Sequence, residues 1–168
     1  MKYPNEISYL IGLGRIYDLL NDSLEAVKYY KKVLHMDSSN LEAVACIASY
    51  HFYIDQPEVS LRFYKRLIQL GVNSAEVWNN IGLCCYYDGQ YDMFWTCFEK
   101  ALSLAEEDIL PDIWFNISHL CIGIGELTLA YQCLKMAIQY DSHHPEAINN
   151  LGVLESKKRN IDSARYYF

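Results

Sequence analysis

Residues 77–104 read VWNNIGLCCYYDGQYDMFWTCFEKALSL. Trp78, Ile81, Leu83 and Cys85 supply apolar positions in the first half of this stretch. Asp88-Gly89 breaks the pattern, and Tyr91, Phe94, Trp95, Phe98, Ala101 and Leu102 restart it at i, i+3, i+4, i+7 spacing. The reading is two amphipathic helices joined by a tight turn. Small Gly82 follows Trp78 by one helical turn, on the same face, where a second helix can come close.

The same unit recurs along the chain. With Trp78 set at position 4 of a 34-residue repeat, position 4 holds Leu10, Val44, Trp78, Trp114 and Ile148. Position 7 holds Leu13, Ile47, Ile81, Ile117 and Leu151, and position 8, where helices must approach, holds Gly14, Ala48, Gly82, Ser118 and Gly152. Position 20 is Ala26, Ser60, Phe94, Ala130 and Ala164, and position 24 is Tyr30, Tyr64, Phe98, Leu134 and Phe168. The period holds throughout, apart from two extra residues near Glu106–Leu110. Large residues recur where large ones are needed and small where small are needed.

This register resembles the tetratricopeptide repeat (TPR). The resemblance covers essentially the whole chain. It implies an all-α fold, a TPR α-solenoid: a right-handed superhelix of antiparallel helix pairs, with each repeat resting on its neighbours. One array over residues 1–168 is expected, with repeats at 7–40, 41–74, 75–110, 111–144 and 145–168, the last incomplete. Leu10, Gly14, Ala26, Trp78, Gly82, Phe94, Trp114, Ala130 and Gly152 are its expected structural core. Phe94 is oversized for position 20; small Cys85 and Ser60 are the candidates for making room.

Local signals place the helices. Residues 1–6 are expected as a lead-in, and the first repeat pairs about 7–20 with about 23–36. The Ser39–Glu42 spacing fits a capping box for a helix over about 41–54. Pro57, Pro111 and Pro145 suit first helical turns. Gly71 suits a left-handed cap, Asn73 or Ser74 the next helix start, and Gly125 a turn. A last helix is expected from near Ile161 to Phe168. Its Ala164, Tyr166, Tyr167 and Phe168 lack the polar outer face of a terminal helix, which predicts a fragment of a longer chain.

Composition excludes several classes. The chain is 52% hydrophobic and 21% charged, which suits a folded protein, not a disordered one. No run of eighteen apolar residues and no signal peptide appear, implying a cytoplasmic protein. At net charge −7 a nucleic-acid partner is not expected. Lys31, Lys32, Lys65, Arg66 and Lys100 near the ends of second helices suit the helix dipole, so membrane contact is at most indirect or weak. Cys85 and Cys121 share position 11 and Cys97 and Cys133 share position 23, while Cys46 and Cys84 also fall inside helices; all six read as buried small hydrophobes. No metal site, cofactor or catalytic residue is expected. His143-His144 reads as solvated loop, and His51 as packing.

A partner surface is legible in outline. In TPR arrays, positions 2, 5, 6, 9, 12 and 13 of the first helix face the concave groove. Position 6 places Asn80, Asn116 and Asn150 there, as amides able to engage a peptide backbone or to tie helices together. Phe52, Tyr53, Tyr86 and Tyr87 at positions 12 and 13 are aromatic candidates, joined by Phe115 and His119. Glu42, Glu76, Asp112 and Glu146 form an acidic column at position 2, which equally suits the dipole of a first turn. The carboxylate clamp of chaperone-binding TPR domains is missing: position 5 is Ile11, Ala45, Asn79, Phe115 and Asn149, and position 9 is Arg15, Ser49, Leu83, His119 and Val153.

A narrower resemblance rests on EAVACIASYHFYIDQPEVSLRFYKRLIQLG at 42–71, with NNIGLCCYYDGQYDM, ALSLAEE, GIGELTLAYQC and EAINNLGVLE downstream. The HFY…DQPE…LRFY…RL combination is not demanded by the generic repeat. It resembles the TPR subunit family of the BBSome, the Bardet–Biedl syndrome complex that sorts ciliary membrane proteins. The resemblance implies a non-catalytic scaffold contacting other BBSome subunits, at the cilium, basal body or centriolar region. The alternative is the substrate-binding TPR arm of a larger enzyme, such as a cytosolic O-GlcNAc glycosyltransferase.

Overall fold

The computed structural model describes the backbone of residues 4–167 and the side chains of residues 6–167. Ten helices make up its regular structure, and no strand occurs among the described residues. They are α1 (Pro4–Leu19), α2 (Ser23–Met36), α3 (Leu41–Tyr53), α4 (Pro57–Gln69), α5 (Ala75–Tyr87), α6 (Tyr91–Leu104), α7 (Leu110–Gly123), α8 (Leu127–Tyr140), α9 (Pro145–Lys157) and α10 (Ile161–Tyr167). The chain forms two compact units, Met1–Asn73 with Tyr87–Tyr91, and Ser74–Tyr86 with Asp92–Phe168.

The turns repeat as the helices do. Position 15 is left-handed in every helix pair: Asn21, Asp55, Gly89, Gly125 and Arg159 all have φ between 58° and 86°. Glycine or a short polar side chain accepts that conformation readily, and Arg159 is the exception. Gly71, at φ 92°, ends α4 in the same manner.

Some helix boundaries differ from the sequence reading. α1 begins at Pro4, so residues 4–6 belong to the helix and only residues 1–3 of the expected lead-in lie outside the described residues. Ser39 and Glu42 do not form a capping box. Asn40 caps α3, its Oδ1 accepting from the Ala43 amide at 3.0 Å, while the Ser39 hydroxyl and amide turn back to Asp37. Those two bonds hold the Asp37 carboxyl below its ordinary range. At α5 it is Ser74 Oγ that accepts, from the Val77 amide at 3.4 Å. The expected end at Phe168 lies outside the described residues.

In the first unit, Ala26, Val27, Tyr30 and Val33 of α2 bury against Ala43 and Ile47 of α3, with Ile7, Leu10, Ile11 and Tyr17 of α1 packed alongside. The Tyr30 phenol is pushed up by burial and then by its 2.7 Å hydrogen bond to Asp18. A Cβ at Gly14 would stand 2.7 Å from the Tyr30 ring, so glycine is required there. Buried Ser60 is accounted for locally: its hydroxyl donates to the Ala48 carbonyl at 2.7 Å.

Gly82 and Phe98 make the same junction in the second unit, where a Cβ would fall 2.8 Å from the ring. Phe94 is fully buried with its ring 4.5 Å from Trp95, 5.9 Å from Tyr86 and 6.4 Å from Phe98, centroid to centroid. The large residue at position 20 is therefore housed by an aromatic cluster. Cys133 and Cys121 share a hydrogen bond between α8 and α7 that, with burial, keeps the Cys133 thiol protonated.

Three expected core residues, Leu10, Trp78 and Trp114, are only partly buried, although the Trp114 indole Nε1 is itself enclosed. Position 7 shows a further gradient. Ile47, Ile81, Ile117 and Leu151 are at most 3% exposed, whereas Leu13 is 39% exposed. Leu13→Ala is accordingly expected to cost below about 1 kcal/mol and Ile81→Ala about 2–5 kcal/mol, read by chemical denaturation.

Candidate functional site

In the second unit, the first turns and inner faces of α5, α7 and α9 enclose a cleft of ≈ 380 Å³. It is lined by Glu76, Asp112 and Glu146, by Asn79, Asn80 and Asn116, and by Phe115 with Ile109 and Ile113. No lysine or arginine lines it. The matching acid of the first unit is neutralised: Arg15 grips Glu42 through two contacts of 2.5 and 2.7 Å, which raise the guanidinium further.

The amides form a relay. Asn116 Nδ2 donates to Asn79 Oδ1 at 3.1 Å, and Asn79 Nδ2 donates to Asn80 Oδ1 at 3.1 Å. Asn79 is buried, so this relay ties α7 to α5 as well as lining the cleft. Register places position 5 on the groove side, where Phe115 is a candidate, but it does not single out Asn79 as the hub. The adjacent pairs Asn79-Asn80 and Asn149-Asn150 were the available signal. Asn116→Ala strips a donor from a buried carbonyl oxygen and is expected to cost about 1–3 kcal/mol. Asn150, whose Oδ1 accepts from Asn149 at 3.5 Å outside the cleft, should cost under about 0.5 kcal/mol in the same melts.

His144 overturns the expectation of a solvated loop. It is 6% exposed, and its Nδ1 caps α9 by accepting from the Ala147 amide at 3.3 Å. Its Nε2 lies 3.3 Å from Asp112 Oδ1, with the ring 5.2 Å from Phe115. Asp112 and Phe115, the residues it approaches, themselves line the cleft. His143 remains exposed, as expected of a loop residue.

The aromatic candidates separate. Phe52, Tyr53 and Tyr87 meet in the first unit around a hollow of ≈ 200 Å³, with Asp55 and Pro57. Tyr86 goes elsewhere: it stands edge-on to Phe94, and its hydroxyl fills the place a Cβ would take at Gly123. His119 is exposed and does not line the cleft. His51 bonds Gln56 through Nδ1 at 2.8 Å and stacks on Phe63, a packing role. No trio of His, Cys, Asp or Glu able to hold a metal ion occurs among the described residues. No helix among the described residues is long and apolar enough to cross a membrane.

Paired helices in a fixed register, glycine against a ring at two of the close approaches, and left-handed turns at one repeat position define a helical-repeat interaction scaffold. The chain belongs to the tetratricopeptide repeat family, whose profile matches residues 7–40, 75–108 and 111–144. Among curated relatives, mouse tetratricopeptide repeat protein 8 is 52% identical over 165 residues, covering 98% of this chain and 32% of the relative. The bovine BBSome complex member BBS4 is 26% identical over 168 residues, covering 96% of this chain and 32% of that protein. The chain spans about a third of the length of these relatives. In fold it is similar to pilF of Pseudomonas aeruginosa, with a TM-score of 0.77 at 19% identity, over 99% of this chain and 75% of that one.

Proposed function

We propose that this TPR array is a non-catalytic part of a BBSome-type scaffold subunit in the cytoplasm, acting at the cilium or its basal body in membrane-protein transport. The likeness to BBSome complex member BBS4 carries the reading, since that relative's name states its assembly. The HFY…DQPE…LRFY pattern supports it. The cleft of carboxylates and amides on α5, α7 and α9 serves as a contact surface for an extended partner segment. Asn80, Asn116 and Phe115 touch the segment there, while Asn79 and His144 hold the walls. A glycosyltransferase arm is not favoured, because the reported relatives are TPR protein 8 and a BBSome member.

Affinity purification of the full-length protein from ciliated cells, read by quantitative mass spectrometry, tests the reading. Co-purification of BBSome subunits in fixed ratio is the expected result. Recovery of a covalently continuous catalytic domain without those subunits would overturn it.

A further inference from the structure

The hollow at Phe52, Tyr53 and Tyr87 has the build of a cation seat. Phe52 meets Tyr53 at 5.8 Å and 79°, and Tyr87 at 5.6 Å and 72°, so two tyrosines stand nearly perpendicular to one phenylalanine. Pro57 and Asp55 complete the lining. Three aromatic side chains and one carboxylate line this small volume, and a cation held there within about 6 Å of a ring face is attracted to that face. Among the described residues, no lysine or arginine lines the hollow.

Two further features mark this hollow. Tyr53 is 83% exposed and Tyr87 48%, far more aromatic surface than packing asks for. Asp55 occupies the left-handed position 15, where the other repeats carry Asn21, Gly89, Gly125 and Arg159. The Asp55 amide donates to the Phe52 carbonyl at 3.2 Å and the Gln56 amide to the His51 carbonyl at 2.9 Å, which fixes the backbone from which the carboxylate projects. A carboxylate beside three rings complements a positive charge and repels a negative one.

We infer that the Phe52–Tyr53–Tyr87 hollow, with Asp55, binds an arginine or lysine side chain of a partner protein. This rests on the scaffold reading for its partner but not for its chemistry. The planar guanidinium can lie on one ring and reach the carboxylate at the same time.

The test is NMR titration of the isotope-labelled chain with N-acetyl-arginine N-methylamide, and with its neutral isostere N-acetyl-citrulline N-methylamide. Shifts are expected at the amides of residues 52–57 and 87, with arginine bound about fivefold tighter than citrulline. Asp55→Asn keeps the left-handed backbone, and Tyr53→Leu alters an exposed ring, so both should fold as the parent does. Each should weaken the arginine probe about threefold or more. Equal binding of the two probes would overturn the inference, as would arginine shifts confined to Glu76, Asp112 and Glu146. A bound arginine probe with no BBSome subunits co-purifying would leave the seat standing and remove the scaffold assignment.

Discussion

Phe98→Ala is expected to destabilise the chain by about 3–5 kcal/mol, lowering the thermal midpoint by roughly 10 °C. The ring is 1% exposed and stands against Gly82 on one side and the edge of Phe94 on another. Glycine cannot grow into the space vacated, and Phe94 is already held by Tyr86 and Trp95. The cavity therefore stays open, at the costly end of the usual range. A loss below about 1 kcal/mol would mean that α6 slides inward, and that the close approach at Gly82 is not a fixed distance.

The second large effect comes from the opposite direction. Gly82→Leu places a Cβ within 2.8 Å of the Phe98 ring before the rest of the side chain is counted. Real Cβ atoms do not sit so close, so α5 must lift from α6. Overpacking of this kind costs about 1–3 kcal/mol or more. The two changes should not add. Leucine at 82 partly fills what alanine at 98 empties, and a double-mutant cycle should return a coupling of about 1–3 kcal/mol in the favourable sense. Additivity within about 0.5 kcal/mol would show that the two positions do not meet.

The sequence made the helix pairs readable because two periods coincide. Apolar residues recur at helical spacing within each segment, and size recurs at 34 residues between segments. Ser23–Met36 was therefore legible to the residue. Caps were less so. Asn40, Ser39 and Glu42 compete for the same orphan amides, and only geometry shows that Ser39 is committed to Asp37. The tryptophans show the limit of register: a large apolar residue at position 4 suggests full burial, yet Trp78 and Trp114 are only partly covered. Phe94 was legible as an anomaly, and its solution lay in rings on the same and the neighbouring helix.

The surface was half legible. Asn80 and Asn116 were placed from register, and both line the cleft. Asn79 and His144 were missed because burial of a polar group depends on what closes over it, which no periodicity reports. The acids at position 2 read as dipole partners, and in the second unit they line the cleft as well. Position 12 split between Phe52 in the aromatic hollow and Tyr86 against Gly123, a difference set by one missing Cβ.

The most direct measurement is quantitative co-purification of the full-length protein carrying Glu76→Lys with Glu146→Lys, beside the unaltered protein. Both side chains are exposed, and reversing two first-turn charges should cost the fold no more than about 2 kcal/mol. Recovery of partner subunits is expected to fall about tenfold, because two cations then face the partner segment proposed for the acidic cleft. Undiminished recovery with an unchanged melt would contradict the account, since the cleft would then carry no part of the assembly.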